Sequence, residues 1–410
     1  MSGTGPVTYL DWAATSAIRP ATVTRAVIDY LDDVGASPGR GGHRLAIAAD
    51  RVAFQCRQVL ARLLGLHGDT GRIAFMFNAT HALNTAMTGV LRRADAVVVT
   101  AFDHNAVLRC AHRLERERGV ELRMVRGFPD GTLDEPALER ALDGARLLCI
   151  NGASNVLGTT LDVVRLCSLA HQAGALALVD SAQVAGELPF NAHECGADLV
   201  AITGHKALLG PQGTGALWAR EGIDVEPLLV GGTGGDSMLP DMPPAWPDHL
   251  QAGTLNAPGI AGLAAGAHWI MERTVSRIAS DAAAIKVALH DALSRVPRVR
   301  VISPIAPGGA PIVTIVADDI DPATFAGRLD REFGVLVRPG LHCAPLTHRV
   351  TGTETTGAIR FSIGWASTSR DAERAVEAVE RIVGARTRTG TGTGTGTRMG
   401  SGRAPGLVQG

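Results

Sequence analysis

The chain has 410 residues, 46% of them hydrophobic and 19% charged, enough apolar material for two domains or for one large domain with a smaller companion. A formal net charge of -1 leaves no basic excess to neutralise a phosphate backbone or to hold an acidic membrane, which argues against nucleic-acid and membrane-surface functions. No apolar run approaches the roughly 20 residues of a membrane span, the opening MSGTGPVTYLDWAATS does not read as a signal peptide, and six scattered cysteines without a CxxC pair point to a reducing, cytoplasmic setting rather than a disulfide framework or a Cys-rich zinc site.

Residues 1–20 are expected to form an N-terminal segment packed on the smaller domain. From 21 to 265 apolar runs alternate with amphipathic stretches. Helices are predicted at Ala21–Val34, Ala49–Leu64, Ala79–Leu91, Ala106–Glu117, Asp162–Gln172 and Leu263–Met271. Strands are predicted at Ile73–Phe77, Ala96–Thr100, Leu147–Ile150, Ala175–Val179, Leu199–Ile202 and Gly215–Ala219. Short apolar strands between helices predict an α/β domain, its sheet mostly parallel and covered on both faces. The Pro- and Gly-rich stretch from Gly231 to Trp246 reads as a loop. A smaller α+β domain is expected over 266–385, with strands near Val299–Ile302, Ile312–Val316 and Ile359–Ile363, a helix near Pro322–Phe333 and a last helix over Ser369–Val383. The tail 386–410, with its GTGTGTGT run, is expected to be disordered.

Polar residues gather just after the predicted strands: Asn78-Ala79-Thr80, Asp103-His104-Asn105, Ser154-Asn155, Asp180-Ser181-Ala182-Gln183 and Thr203-Gly204-His205-Lys206. Ligands of open α/β sheets sit outside the carboxyl ends of the strands, so these clusters predict one shared pocket. Each alone could be a helix cap. Lys206 is the sharpest residue, because the chain uses only two lysines among its 39 basic residues. An amine between an apolar strand and a Gly-rich loop, beside a histidine, is suited to a depressed pKa and Schiff-base chemistry. The other lysine, Lys286, lies in the helical stretch DAAAIKVALHDAL and is expected to be solvated. The run GPQGTG lacks the Lys-Ser/Thr of a phosphate loop. Thr80 opens a helix whose N–H groups could hold a phosphate, and His104 could stack on a ring or move protons.

Cys343, in VLVRPGLHCAPLTH, is expected on an exposed turn flanked by cationic groups, where a thiol can be partly ionised and nucleophilic. The other five cysteines are expected to be buried and inert. A zinc site of His342, Cys343 and His348 lacks an evident fourth ligand. Arg360 opens an apolar strand in GAIRFSIGW, a poor place for a solvated charge, so a carboxylate partner is expected for it.

The motifs YLDWAATS, NATHALN, DHNAVLR, ASNVLGT, VDSAQ, TGHKALLGPQGTG, QAGTLNAPG, RPGLHCAP and AIRFSIGW, from Tyr9 to about Ala366, resemble in content and order the class V, fold-type I pyridoxal-phosphate enzymes, and within them the cysteine desulfurase and selenocysteine lyase group. The resemblance implies a large domain with a seven-stranded, mostly parallel sheet and a smaller C-terminal domain. It implies that Lys206 carries pyridoxal 5'-phosphate, Asp180 pairs with the ring nitrogen, Gln183 bonds the phenolic oxygen and His104 stacks on the ring. Ala79, Thr80, Thr203 and His205 would bind the phosphate, and Thr254 would reach that of a second subunit in a homodimer. Asn155, Arg360 and Arg338 would hold the substrate carboxylate. Cys343 would take sulfur from L-cysteine as a persulfide, for delivery to an acceptor protein. An aminotransferase, epimerase or C–S or selenocysteine lyase of the same class, or a cofactor-binding scaffold without turnover, would share most of these features. Trp12, His81 and the divergence after GGTG in GGTGGDSMLP depart from the family pattern and are expected near the pocket mouth.

Overall fold

Runs such as AVVVT and LVAIT carry apolar or β-branched residues at nearly every position, which suits strands covered from both sides. The computed structural model describes residues 7–39, 41–66, 70–305 and 308–389. Its strands, in chain order, are β1 (Thr8–Tyr9), β2 (Ile73–Met76), β3 (Ala96–Thr100), β4 (Glu121–Val125), β5 (Leu147–Asn151), β6 (Leu176–Asp180), β7 (Leu199–Thr203), β8 (Gly215–Ala219), β9 (Val299–Val301), β10 (Ile312–Ala317), β11 (Val335–Leu336), β12 (Arg338–Gly340) and β13 (Ala358–Ser362).

A seven-stranded sheet has the order β2-β8-β7-β6-β5-β3-β4. Only β8 runs against its neighbours; the other pairs are parallel. Side chains alternate between two cores. Phe75 and Val98 join Leu60, Leu166 and Leu263 from helices Arg44–Leu63, Val163–Gln172 and Ala257–Arg273. Met76 and Val97 join Leu83 and Leu108 from helices Ala79–Val90 and Asn105–Arg118. Because each parallel strand ends at the same edge, its following loop opens there.

Two elements of this domain lacked a sequence signal. β4 is an edge strand with Glu121 exposed and Arg123 half-buried, so it has no apolar run. Helix Glu135–Leu142 has only eight residues. The predicted helix Ala21–Val34 is α-helical to Asp29 and closes with a π turn, Tyr30–Val34.

A four-stranded antiparallel sheet, β12-β13-β10-β9, forms the second unit. Its core packs Phe325, Phe361 and Val379 with Leu10 from the N-terminal segment. That segment also pairs β1 with β11 in parallel. The last helix runs Ser369–Thr389, past the predicted end at Val383; the rest of the expected disordered tail, 390–410, lies outside the described residues.

Lys286 is not solvated as expected. It is only 3% exposed, and among the described residues its Nζ has no hydrogen-bond partner. In helix Val275–Leu293 it shares the inward face with Ile278, Ala282, Leu289 and Leu293. Spacings of three and four put it on the apolar stripe, and that spacing was the signal that should have displaced the solvated reading.

Candidate active site

The strand-end clusters converge on one cavity of about 240 Å³. From the loop after β2 come Asn78, Ala79 and Thr80; from the loop after β3 comes His104; Asn151 ends β5 and Asp180 ends β6. Gln183 follows β6, and Thr203, His205 and Lys206 end and follow β7. The close approach of these loops depends on glycine. A Cβ on Gly215 would lie 2.6 Å from the Ile202 carbonyl oxygen and 2.8 Å from Asn78 Cα, so β8 can reach the Asn78 turn only without one.

Asn78 caps helix Ala79–Val90 by accepting from the His81 N–H, which turns the positive end of that helix toward the cavity. On the same cavity, the Asp180 carboxylate is 5% exposed and accepts from the Ala182 N–H. Burial pushes the Lys206 amine down to about 8; Arg360 and Arg338 push the same way and Asp180 opposes them. His104 is likewise shifted down by burial. Its Nδ1 accepts from the Ala106 N–H, so the ring is also a helix cap. Burial carries His205 down to about 4, with Lys206 adding to the shift. Asp103, fully buried, is raised to about 7 by desolvation, against a hydrogen bond from the Thr100 N–H.

The second unit supplies the cations. β12 and β13 pair with Arg338 directly opposite Arg360, and both line the cavity. The expected carboxylate partner of Arg360 is the chain's own Asp11, with Nη2 to Oδ1 at 2.8 Å. Nη1 donates to the Asn155 carbonyl at 3.1 Å, and Nε is buried without a partner. Asn155 Nδ2 donates to the His342 carbonyl, while its Oδ1 has no partner. Cys343 is the single exposed cysteine; the other five are buried. It is tied to the rim of the cavity through its carbonyl, which accepts from the Asn105 N–H at 2.7 Å, next to His104.

The three departures from the family pattern supply no residue to the cavity lining. Trp12 does not line this cavity: it is buried against Gly364, with its Nε1 donating to the Tyr9 carbonyl and its ring edge-on to Trp365. His81 is not among its lining residues and stacks on Phe77, its Nδ1 accepting from the Phe77 N–H. The loop after GGTG, with Met238 fully out in solvent, contributes no lining residue. The zinc reading fails on donor count. All four ring nitrogens of His342 and His348 are spent in hydrogen bonds to each other, to the Arg338 carbonyl and to Thr353. Gln183 Nε2 donates to the Ala13 carbonyl, which ties the N-terminal segment to the loop after β6. Thr254 is exposed and lines a different pocket, beside Phe77 and His81.

Sequence reading did not single out Asp11 or Asn151, and it named His342 only as a candidate zinc ligand and as a neighbour of Cys343. Asp11 stands inside a quoted motif but is 349 residues from Arg360. Asn151 extends the apolar strand LLCIN by one polar residue, the same signal that marked Asp180.

A parallel sheet with a lysine loop after β7 and an antiparallel C-terminal unit closing the strand ends is the fold of the fold-type I pyridoxal-phosphate-dependent enzymes. A cysteine desulfurase from Thermococcus onnurineus superposes with a TM-score of 0.87 at 30% identity, over 92% of this chain and 95% of that one. The cysteine desulfurase CsdA of Escherichia coli gives a TM-score of 0.83 at 25% identity, over 92% and 95%. The chain belongs to the class-V aminotransferase family, whose model matches residues 8–375. A relative from Methanothermobacter thermautotrophicus, named a probable cysteine desulfurase, is 33% identical over 92% of this chain and 94% of its own.

Proposed function

We propose that the chain is a cysteine desulfurase that converts L-cysteine to L-alanine and holds the sulfur on Cys343. The observation carrying this reading is the meeting of Lys206, Asp180, Arg338 and Arg360 in one cavity with the only exposed thiol at its rim. The names of the similar proteins support it. The class-V family is a pyridoxal-phosphate family, and the residues present fit that group. The buried Thr203 hydroxyl lines the cavity without a partner, a helix N-terminus faces it, and a buried carboxylate and a depressed amine complete the donor set.

In this reading Lys206 would hold the cofactor, Asp180 its ring nitrogen and Gln183 its phenolic oxygen. His104 would lie against the ring, and Ala79, Thr80, Thr203 and His205 would hold the phosphate. When bound, pyridoxal phosphate supplies an electron sink for charge developing on the substrate. Arg360, Arg338 and Asn155 orient the substrate carboxylate. Lys206, with its amine near neutral pH, takes and returns protons at the substrate carbons. The Cys343 thiolate attacks the substrate sulfur. The carbon–sulfur bond breaks, its electron pair stays on carbon and is protonated there, and the sulfur remains on Cys343 as a persulfide. The product is alanine. Exposure of Cys343 suits transfer to a thiol or an acceptor protein.

A homodimer belongs to the same reading: Thr254, exposed and outside its own chain's cavity, would serve the phosphate of a second copy. A cytoplasmic location is proposed with it. Among the described residues no helix is long and apolar enough to cross a membrane. The test is release of sulfide and alanine from L-cysteine with a thiol reductant. Cys343→Ala is expected to lose both products while keeping the bound cofactor. Full activity in that variant, or no products from the wild type, would redirect the search to other class-V reactions.

A further inference from the structure

Cys343 stands in an unusual piece of backbone. His342 and Cys343 both have left-handed conformations, φ 50° and 57°, although neither is glycine. Such residues cost of order 1 kcal/mol or more each and persist only where their surroundings hold them. Three bonds hold the main chain here: Asn155 Nδ2 to the His342 carbonyl at 2.6 Å, the Asn105 N–H to the Cys343 carbonyl at 2.7 Å, and the Ala344 N–H to the Leu341 carbonyl at 2.9 Å.

A fourth restraint is a side-chain relay whose direction follows from its ends. His342 Nε2 lies 2.9 Å from the Arg338 carbonyl, which can only accept. The proton of His342 is therefore on Nε2. A neutral ring then leaves Nδ1 bare, and Nδ1 faces His348 Nε2 at 3.1 Å, so that nitrogen carries the second proton. His348 Nδ1 is left as an acceptor and faces the Thr353 hydroxyl at 2.7 Å. Thr353 in turn lies 2.8 Å from the Thr351 hydroxyl. His348 is fully buried and Thr353 is 1% exposed, so water does not substitute for either link. Neither His348 nor Thr353 lines the cavity.

We propose that Thr353 and His348 are positioning residues for Cys343: the Thr353 hydroxyl sets the tautomer of His348, His348 sets that of His342, and the His342 ring, tethered to the Arg338 carbonyl, keeps the Cys343 turn in its left-handed form at the cavity rim. The relay ties the Cys343 turn to the Arg338 main chain, which β12 holds in place by its own pairing with β13. Its use in turnover rests on the desulfurase reading; the restraint itself does not.

The test pairs Thr353→Val, which removes the hydroxyl at nearly constant volume, with Thr353→Ser, which restores it. In the holoenzyme, hydrogen exchange of the peptide spanning 338–344 is expected to speed up in Thr353→Val and to match the wild type in Thr353→Ser. With L-cysteine, kcat for alanine release is expected to fall about tenfold in Thr353→Val with KM unchanged, because the thiol acts after the substrate is held. Thr353→Ser is expected to restore it. His348→Phe, a second break that keeps a flat ring, is expected to behave as Thr353→Val does if the latter folds poorly. Wild-type exchange over 338–344 in both broken variants would overturn the proposal, as would a serine variant no better than the valine one. The exchange measurement uses no L-cysteine, so a wild type that fails to release alanine would count against the desulfurase reading alone.

Discussion

Lys206 and Lys286 are both lowered by burial, yet the regions around them differ in every other respect. Lys206 lies on a loop at the carboxyl edge of the seven-stranded sheet. Asp180 opposes its loss of charge there, Arg338 and Arg360 favour it, and a cavity lies open beside it. Lys286 sits on the inner face of helix Val275–Leu293, with no partner for its Nζ. Desolvation alone thus gives a strained amine. Convergent charges and a space for substrate are what turn a depressed amine into a chemical group.

The contrast can be tested from its strongest point downward. Lys206→Ala is expected to reduce alanine release from L-cysteine by at least about 10³-fold, since no other amine lines the cavity. Residual turnover within tenfold of the wild type would remove Lys206 from the centre of the site. Arg360→Lys is expected to lower kcat/KM by about 10- to 100-fold, because an ammonium cannot span Asp11 and the Asn155 carbonyl as the guanidinium fork does. Steady-state kinetics on L-cysteine decide this, and an unchanged KM would show that the substrate carboxylate is held elsewhere.

Lys286→Met is expected to go the other way. Replacing an unpaired buried amine by a thioether of similar length should raise stability by about 1–2 kcal/mol in urea unfolding and leave kcat unchanged. A destabilised variant would mean that the amine has a role which the contrast denies it. A pH-dependent effect concerns Glu187, which lies beside Trp12 and Trp365 and has a buried Oε1 without a partner among the described residues. Burial raises its carboxyl from 4.5 to about 8. Between those values the folded chain keeps a proton that the unfolded chain has lost, so this group's contribution to stability falls as pH rises through the window. Gln does not titrate. The melting temperature of Glu187→Gln minus that of the wild type should therefore grow from pH 5 to pH 8. Melts with an equal difference at both pH values would refute the assignment.

Much of the large sheet was legible because its strands are short apolar runs, and its pocket because the polar residues follow those runs directly. β4 escaped because an edge strand carries charge on its open side. Lys286 was misread because residue type was weighed above its spacing, which matched the buried face of its helix. Trp12 and His81 were expected near the pocket mouth because they depart from the family pattern, and their rings pack on Trp365 and Phe77 rather than lining the cavity.

The sequence by itself determined the order of most strands and helices of the large domain, the strand-end placement of Asp180 and Lys206, and a single cysteine between turn residues. These are local properties, set by periodicity and chain direction. Only the tertiary structure decided the partners: Asp11 on Arg360, Asn155 on the His342 carbonyl, and the chain of protons from Thr353 to Arg338. Asp11 and Asn155 come from segments 349 and 187 residues away from the groups they meet. Hydrogen bonds act over about 3 Å, and contacts between segments so distant along the chain leave no periodic trace in it.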